Sequence, residues 1–594
     1  MMKKFLLVVC GSFVGVILAL TFFVFASIMF SLAVAGMEEK KDTAAVEKHS
    51  VLHLDLKGSL SERETTTTPS MSDMMMGVMP EETLSLTGLV SAIREAATND
   101  KVEGIYIESN GLAGAPASFF TLRKALTEFK QSGKFIYSYA NQGYSQGDYY
   151  LASVADSMFI NPQGSVDLKG LASSIPYFKK LLQNVGVEMQ VLRVGTFKSA
   201  VEPYMLDSIS PANRLQTEHY LGQVWGVMRD SIAASRGMEP AALDALVDSI
   251  IVTREADELV AAHIVDATCY SKDIEKKIKT RLGLDEDDDI NMVQPSLLAK
   301  KQETSVSDDH IAVVYAVGEI DDSDESLSDN GIHGESMVKL IDELADNDDV
   351  KGMVLRVNSP GGSAFASEQI WKAIEDFKAK GKPVAVSMGD YAASGGYYIS
   401  SGAGRIFAEP TTITGSIGIF GVIPCAQELA ENKLGVKFSV VKTNANTDMG
   451  LTTKRLTAVQ RESLQRMINN GYDLFTSRCA TGRGVSQDSI KVIAEGRVWD
   501  GLTALNIGLV DELGGVDSAV KWVAEQAGLD SDAKTMNYPT IKDDWLMMLN
   551  RVIAMNGQVR MREQLGMLWD YHEMLQQSMN RNHVLCLMYD RVEM

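Results

Sequence analysis

Alternation of apolar and polar positions begins at Val51-Leu52-His53-Leu54-Asp55-Leu56 and predicts a first strand there. Ser59 to Pro80 has no period; rich in Thr, Ser and Met, it predicts a mobile loop or surface excursion. From Leu84 the pattern turns regular. An amphipathic stretch to Thr98 predicts a helix, Gly104–Ile107 a strand, Ser118–Lys130 a helix and Phe135–Tyr139 a strand. This alternation is the signature of an α/β domain. Strands are predicted again at Ile311–Val317 and Met353–Val357. A third starts at Val384 and ends at Met388, where the chain breaks into small residues before a helix opening at Gly395.

The pattern repeats. With a constant shift of 248 positions, as from Gly104 to Gly352, a long window aligns without gaps. Lys124-Ala125 falls on Lys372-Ala373, Gly133-Lys134 on Gly381-Lys382, Gly147 on Gly395, and Tyr149-Tyr150 on Tyr397-Tyr398. Two copies of one α/β domain, each of about 230 residues, fit the length of the chain. The boundaries expected are 45–281 for the first copy and 310–528 for the second. An acidic linker at 282–309 carries Asp285-Glu286-Asp287-Asp288-Asp289, and a Met- and Leu-rich helical extension fills 529–594.

At the N-terminus, Lys3-Lys4 precede a run from Phe5 to Gly36 without a single charge. About 20 apolar residues suffice to cross a bilayer, so residues 1–40 predict a cytoplasmic N-terminus and one transmembrane signal anchor. Both copies would then lie outside the cytoplasm.

Composition narrows the chemistry. The net charge of −22 argues against nucleic acid as a general partner, because phosphate binding needs clustered cations. Five scattered cysteines, with no Cys-x-x-Cys pair, suggest neither a disulfide framework nor a zinc site. The eight histidines show no ligand spacing, which argues against a metal hydrolase; no cofactor is expected.

The comparison of the two copies says more. Ser394 stands at a predicted strand-to-helix turn before Gly395-Gly396, where a nucleophile can be presented beside a backbone N–H. An N-cap serine in a Gly-rich turn is the plainer alternative. The first copy has Gln146 at this position. It carries instead Lys198, in Gly195-Thr196-Phe197-Lys198-Ser199, where the second copy has Asn446. One half has the hydroxyl without the amine, and the other the amine without the hydroxyl. A single Ser/Lys site shared between the copies would leave this pattern. Serine needs a base, and a lysine can serve once burial disfavours its ammonium form. Gly361, in Asn358-Ser359-Pro360-Gly361-Gly362-Ser363, and Gly395 are candidate oxyanion-hole donors, and Ser416 in Thr414-Gly415-Ser416 could orient the amine.

These stretches resemble the signal peptide peptidase A (protease IV) family in its long, duplicated form. The shared patterns are Val-Asn-Ser-Pro-Gly-Gly-Ser (357–363), Met-Gly-Asp-Tyr-Ala-Ala-Ser-Gly-Gly-Tyr-Tyr (388–398), Thr-Gly-Ser-Ile-Gly-Ile-Phe (414–420) and Gly-Thr-Phe-Lys-Ser-Ala-Val-Glu-Pro (195–203). The resemblance covers roughly residues 1–525 and leaves the tail unexplained. It implies two tandem domains of the Clp protease/crotonase type and a serine endopeptidase of the inner membrane, single-pass, with its catalytic domains on the periplasmic side. It implies Ser394 as nucleophile, Lys198 as general base, Ser416 as the group holding the lysine, and Gly361 and Gly395 as the oxyanion hole. Substrates would be cleaved signal peptides and other extended apolar peptides, and the assembly a homotetramer. A crotonase-type acyl-CoA enzyme, or a membrane scaffold with a decayed site, is the competing expectation.

Overall fold

A computed structural model of the chain describes residues 46–63, 83–299, 308–325, 331–530 and 532–540, together with a strand at Leu585–Leu587. The expected anchor at 1–40 lies outside the described residues, as does most of the tail. Among the described residues, no helix is long and apolar enough to cross a membrane.

Each copy is built on a sheet that is parallel throughout in the first and parallel in the second except where Val498–Asp500 runs antiparallel to Ile413–Gly415. In the first, six strands run in the order Ala267–Thr268, Ser157–Ile160, Phe135–Ala140, Val102–Ser109, Ser50–Leu56, Met292–Val293. In the second, the main path is Val498–Asp500, Ile413–Gly415, Val384–Ala393, Val350–Ser359, His310–Val317, Thr535–Tyr538. The internal repeat is visible in the register: Ile105 pairs with Ile136, and Met353 pairs with Val384. Apolar runs in the central strands are buried because helices cover the sheets, as parallel sheets require. Leu86–Thr98 and Pro116–Lys130 pack together in the first copy, and Gly334–Asp346 and Ala364–Ala379 in the second. Two large apolar cores result, one for each copy.

The described residues alter several expected boundaries. Met292–Val293 pairs with the first strand of copy one, and the short helix Pro295–Leu298 packs against Leu86–Thr98. The acidic stretch therefore sits between a helix and a closing edge strand, and much of 282–309 belongs to the first domain. Thr535–Tyr538 does the same for the second sheet, so that domain runs past residue 528. Ser59–Ser61 pairs with Thr83–Ser85, and Glu62 and Arg63 are buried, so the start of the aperiodic segment is no surface excursion. The strand from Val384 continues to Ala393 because its last residues are paired on both sides, Ala392 with Ser359 and Tyr391–Ala393 with Ile413–Gly415.

A third sheet joins the copies. Its order is Gly331–His333, Glu319–Asp321, Gly361–Ser363, Leu585–Leu587, Phe420–Cys425, Glu188–Arg193. The last strand comes from copy one and runs antiparallel to Phe420–Cys425 of copy two, with Arg193 opposite Phe420.

Candidate active site

That inter-copy ladder carries the chain from Arg193 into the turn holding Lys198. The turn is fixed from several directions. Phe197 N–H donates to Glu495 O at 2.9 Å, Arg193 Nη1 donates to Lys198 O at 3.1 Å, and Gln216 Nε2 donates to Phe197 O at 3.2 Å. Gly195 has φ +106°, and a Cβ there would lie 2.3 Å from Glu495 O. Gly496, at φ +75°, lets the second copy's backbone lie against the lysine: an added Cβ would stand 2.7 Å from Lys198 Cβ.

Lys198 is 1% exposed and Ser394 fully buried. Lys198 Nζ lies 2.7 Å from Ser394 Oγ, 3.1 Å from Ser416 Oγ and 3.1 Å from Ser416 O. The pairing expected between the copies is therefore present in the geometry. Ser394 occupies the N-cap position of the helix Gly395–Ser400, yet its side chain accepts no cap hydrogen bond. At the same turn of copy one, Ser145 does cap its helix, accepting from Asp148 N–H. The cap reading fits Ser145; the Ser394 hydroxyl is directed at an amine instead.

Backbone strain marks the same place. Ser394 has φ 58° and ψ −114°, and Ser416 has φ 50°. Left-handed backbone at a residue other than glycine costs about 1–3 kcal/mol and persists only where its surroundings hold it. Ser394 N–H donates to Gly415 O at 2.8 Å and Ser416 N–H to Arg497 O at 2.7 Å, which holds both.

Gly361 and Gly395 are neighbours in space. A Cβ on Gly395 would lie 3.2 Å from Gly361 Cα and 3.1 Å from Gly362 N, so a side chain there would push the two segments apart. Gly361 has φ +104°. Its N–H donates to Ser359 Oγ at 3.2 Å. Gly361–Ser363 also pairs antiparallel with Leu585–Leu587, Gly361 lying opposite Leu587, while Leu585 lies opposite Phe420. An extended backbone thus runs between the glycine loop and the strand Phe420–Cys425, which in turn pairs with the strand that leads to the lysine.

Comparison with known proteins decides the family. The model of "Peptidase family S49" matches residues 128–285 and again 376–530. The chain belongs to peptidase family S49. A Protease 4 from Salmonella typhi is 37% identical over 487 residues, covering 80% of this chain and 77% of that one. A Protease 4 from Haemophilus influenzae is 33% identical, covering 87% and 85%. The chloroplastic serine protease SPPA of Arabidopsis thaliana is 28% identical, covering 82% and 71%. A solved ClpP1 of Listeria monocytogenes aligns with 35% of this chain at 17% identity and a TM-score of 0.24, too low to establish a shared fold. This S49 peptidase is a serine protease of the SppA type, built from two α/β domains in tandem.

In this S49 peptidase, Gln146 has a structural task at the position matching Ser394. It is buried, and its Oε1 accepts the N–H groups of Lys169 and Gly170 at 3.1 and 2.9 Å. The sequence reading missed the segment Glu495-Gly496-Arg497 and the side chain of Gln216, which together hold both the lysine turn and Ser416. Only Gly496 offered a signal, as a glycine at a turn.

Proposed function

We propose that this peptidase cleaves extended apolar peptides, signal peptides left in the membrane among them, through an acyl-enzyme formed on Ser394 with Lys198 as general base. The observation that carries this is the 2.7 Å contact between Lys198 Nζ and Ser394 Oγ, buried and reaching across the two copies.

Neutral Lys198 takes the hydroxyl proton as Ser394 Oγ attacks the scissile carbonyl. The two Ser416 oxygens aim the amine at that proton. The N–H groups of Gly361 and Gly395 would stabilise the oxyanion, with the substrate carbonyl replacing Ser359 Oγ as the acceptor for Gly361; such contacts often tighten only with substrate bound. The ammonium then returns its proton to the leaving amine, and water activated by the same lysine releases the acyl group. An extended substrate would lie antiparallel between Gly361–Ser363 and Phe420–Cys425, the course the chain's own Leu585–Leu587 backbone follows. Anchoring by residues 1–40, exposure on the periplasmic side and assembly as a homotetramer belong to the same proposal and rest on the charge-free N-terminal run and the family resemblance.

Ser394→Ala and Lys198→Ala should each abolish peptide hydrolysis, a loss of about 10³-fold or more, while the protein stays folded and assembled. Full residual activity in either variant sinks the dyad.

A further inference from the structure

Behind the catalytic serine lies a second buried polar cluster that the proposed chemistry does not use. Arg356 and Asn358 sit on the strand that ends at Ser359, and Asp390 sits four residues before Ser394 on the neighbouring strand. Copy one reaches into them with Glu62 and Ser118. Arg356 donates through Nε and Nη2 to the two Glu62 carboxylate oxygens, each at 3.0 Å, and through Nη1 to Met388 O at 2.8 Å and Ser387 Oγ at 3.0 Å. Asn358 Nδ2 bridges Glu62 Oε1 at 2.9 Å and Asp390 Oδ2 at 3.1 Å, while its Oδ1 accepts Tyr391 N–H at 3.1 Å. Asp390 accepts Ser118 N–H at 2.8 Å and Ser118 Oγ–H at 2.7 Å.

Three features make this more than interface packing. Asp390 supplies from the other copy the N-terminal cap that helix Pro116–Lys130 lacks, since its own N-cap residue is Ala115. The cluster also sits where the pairing between the two catalytic strands slips, between Val357 and Ser359, and that slip fixes how far Gly361 and Ser394 each project. Gly389 is part of the fit, because a Cβ there would lie 2.6 Å from Glu62 Oε1. Third, the duplicate lacks the cluster. Glu108 stands at the position of Arg356, Gln142 at Asp390 and Ala366 at Ser118; of these four positions the asparagine alone recurs, as Asn110, and that side chain binds Asp55. A requirement of the domain fold alone would appear in both copies.

We propose that Glu62, Asp390 and Ser118 are positioning residues: docking of copy one onto this cluster sets the register of the two strand ends that present Ser394 and Gly361. Copy one would then control the site twice, with Lys198 from the front and with Glu62 and Ser118 from behind. The inference rests on the Ser394–Lys198 reading. Burial, reinforced by the nearby Glu62, pushes the Asp390 carboxyl above the usual range despite the hydrogen bonds from Ser118, as expected for two carboxylates facing one guanidinium.

The test measures kcat and KM for hydrolysis of a fluorogenic peptide by the full chain in detergent, with active sites titrated by a serine-directed fluorophosphonate. Glu62→Gln and Asp390→Ala should lower kcat per titrated site about 10- to 100-fold with KM within about twofold, the effect of a small misplacement. Asp390→Asn keeps an acceptor for Ser118 N–H and should retain more activity than Asp390→Ala. Adding Ser118→Ala to Asp390→Ala should cost nothing further. Unchanged kcat per titrated site in Glu62→Gln and Ser118→Ala, with only melting temperature or titratable fraction reduced, overturns the proposal, and those two mild variants decide it even if Asp390→Ala fails to fold. A wild-type chain that is neither labelled nor active would instead overturn the dyad reading.

Discussion

At the scale of single residues, the site rests on a serine held in left-handed backbone and a lysine buried against it. A buried ammonium loses its hydration, so the neutral amine that a general base must be is favoured. The hydroxyl and carbonyl oxygens around Nζ orient the amine, and the Phe420 ring, 5.9 Å away, gives only a weak cation–π contact. The acylation rate should therefore rise with pH as Lys198 loses its proton. Presteady-state acylation followed from about pH 5 to pH 10 checks this; a flat profile contradicts it.

At the scale of elements, the decisive feature is the inter-copy strand pair that delivers the lysine turn, closed by Glu495-Gly496-Arg497. Gly496→Ala would force a side chain against Lys198 in a backbone conformation that alanine resists. It should lower kcat at least about 10-fold while leaving the chain folded, as measured by peptide hydrolysis and circular dichroism. The last turn of helix Ala458–Arg483 supports a separate prediction. Burial raises the Asp511 carboxyl, but the Arg483 guanidinium paired with it and Ile406 N–H outweigh that and hold it below the usual range. A depressed carboxylate stabilises the fold above its unfolded-state pKa of about 3.9, and that contribution fades as pH falls through the folded value. Arg483→Met should thus lower the melting temperature at pH 7, with the gap to wild type narrowing in acid. A gap that stays constant down to about pH 2 would contradict it.

Much at this scale was legible in the chain. Apolar runs and the internal repeat gave both sheets, and the exchange of Ser394 and Gln146 against Lys198 and Asn446 pointed to a shared site. What stayed hidden depends on contacts between distant segments. The strand beyond Met388, Gly389-Asp390-Tyr391-Ala392-Ala393, carries no apolar alternation, and pairing with Ser359 and with Ile413–Gly415 keeps it extended. Edge strands such as Met292–Val293 are too short for any period to show. Glu62 looked like part of a loop because its partner, Arg356, is 294 residues away in sequence.

At the scale of the whole molecule, the candidate site draws on both copies. The second presents the hydroxyl, both glycines and Ser416; the first supplies the amine and docks from behind. The strand Leu585–Leu587 runs where an extended substrate would lie, between Gly361–Ser363 and Phe420. A chain ending at residue 540 should therefore bind peptides more tightly, with KM lower and kcat little changed; an unchanged KM would show that the segment does not compete.

The claim that function belongs to the junction of the two copies is tested most directly by labelling. Membranes carrying the full chain are treated with a fluorophosphonate probe, and the modified peptide is identified by mass spectrometry. The account predicts modification at Ser394 in the wild type and its collapse in Lys198→Ala, a change confined to the other copy. Equal labelling of Ser394 without Lys198, or labelling of a different serine, would contradict it.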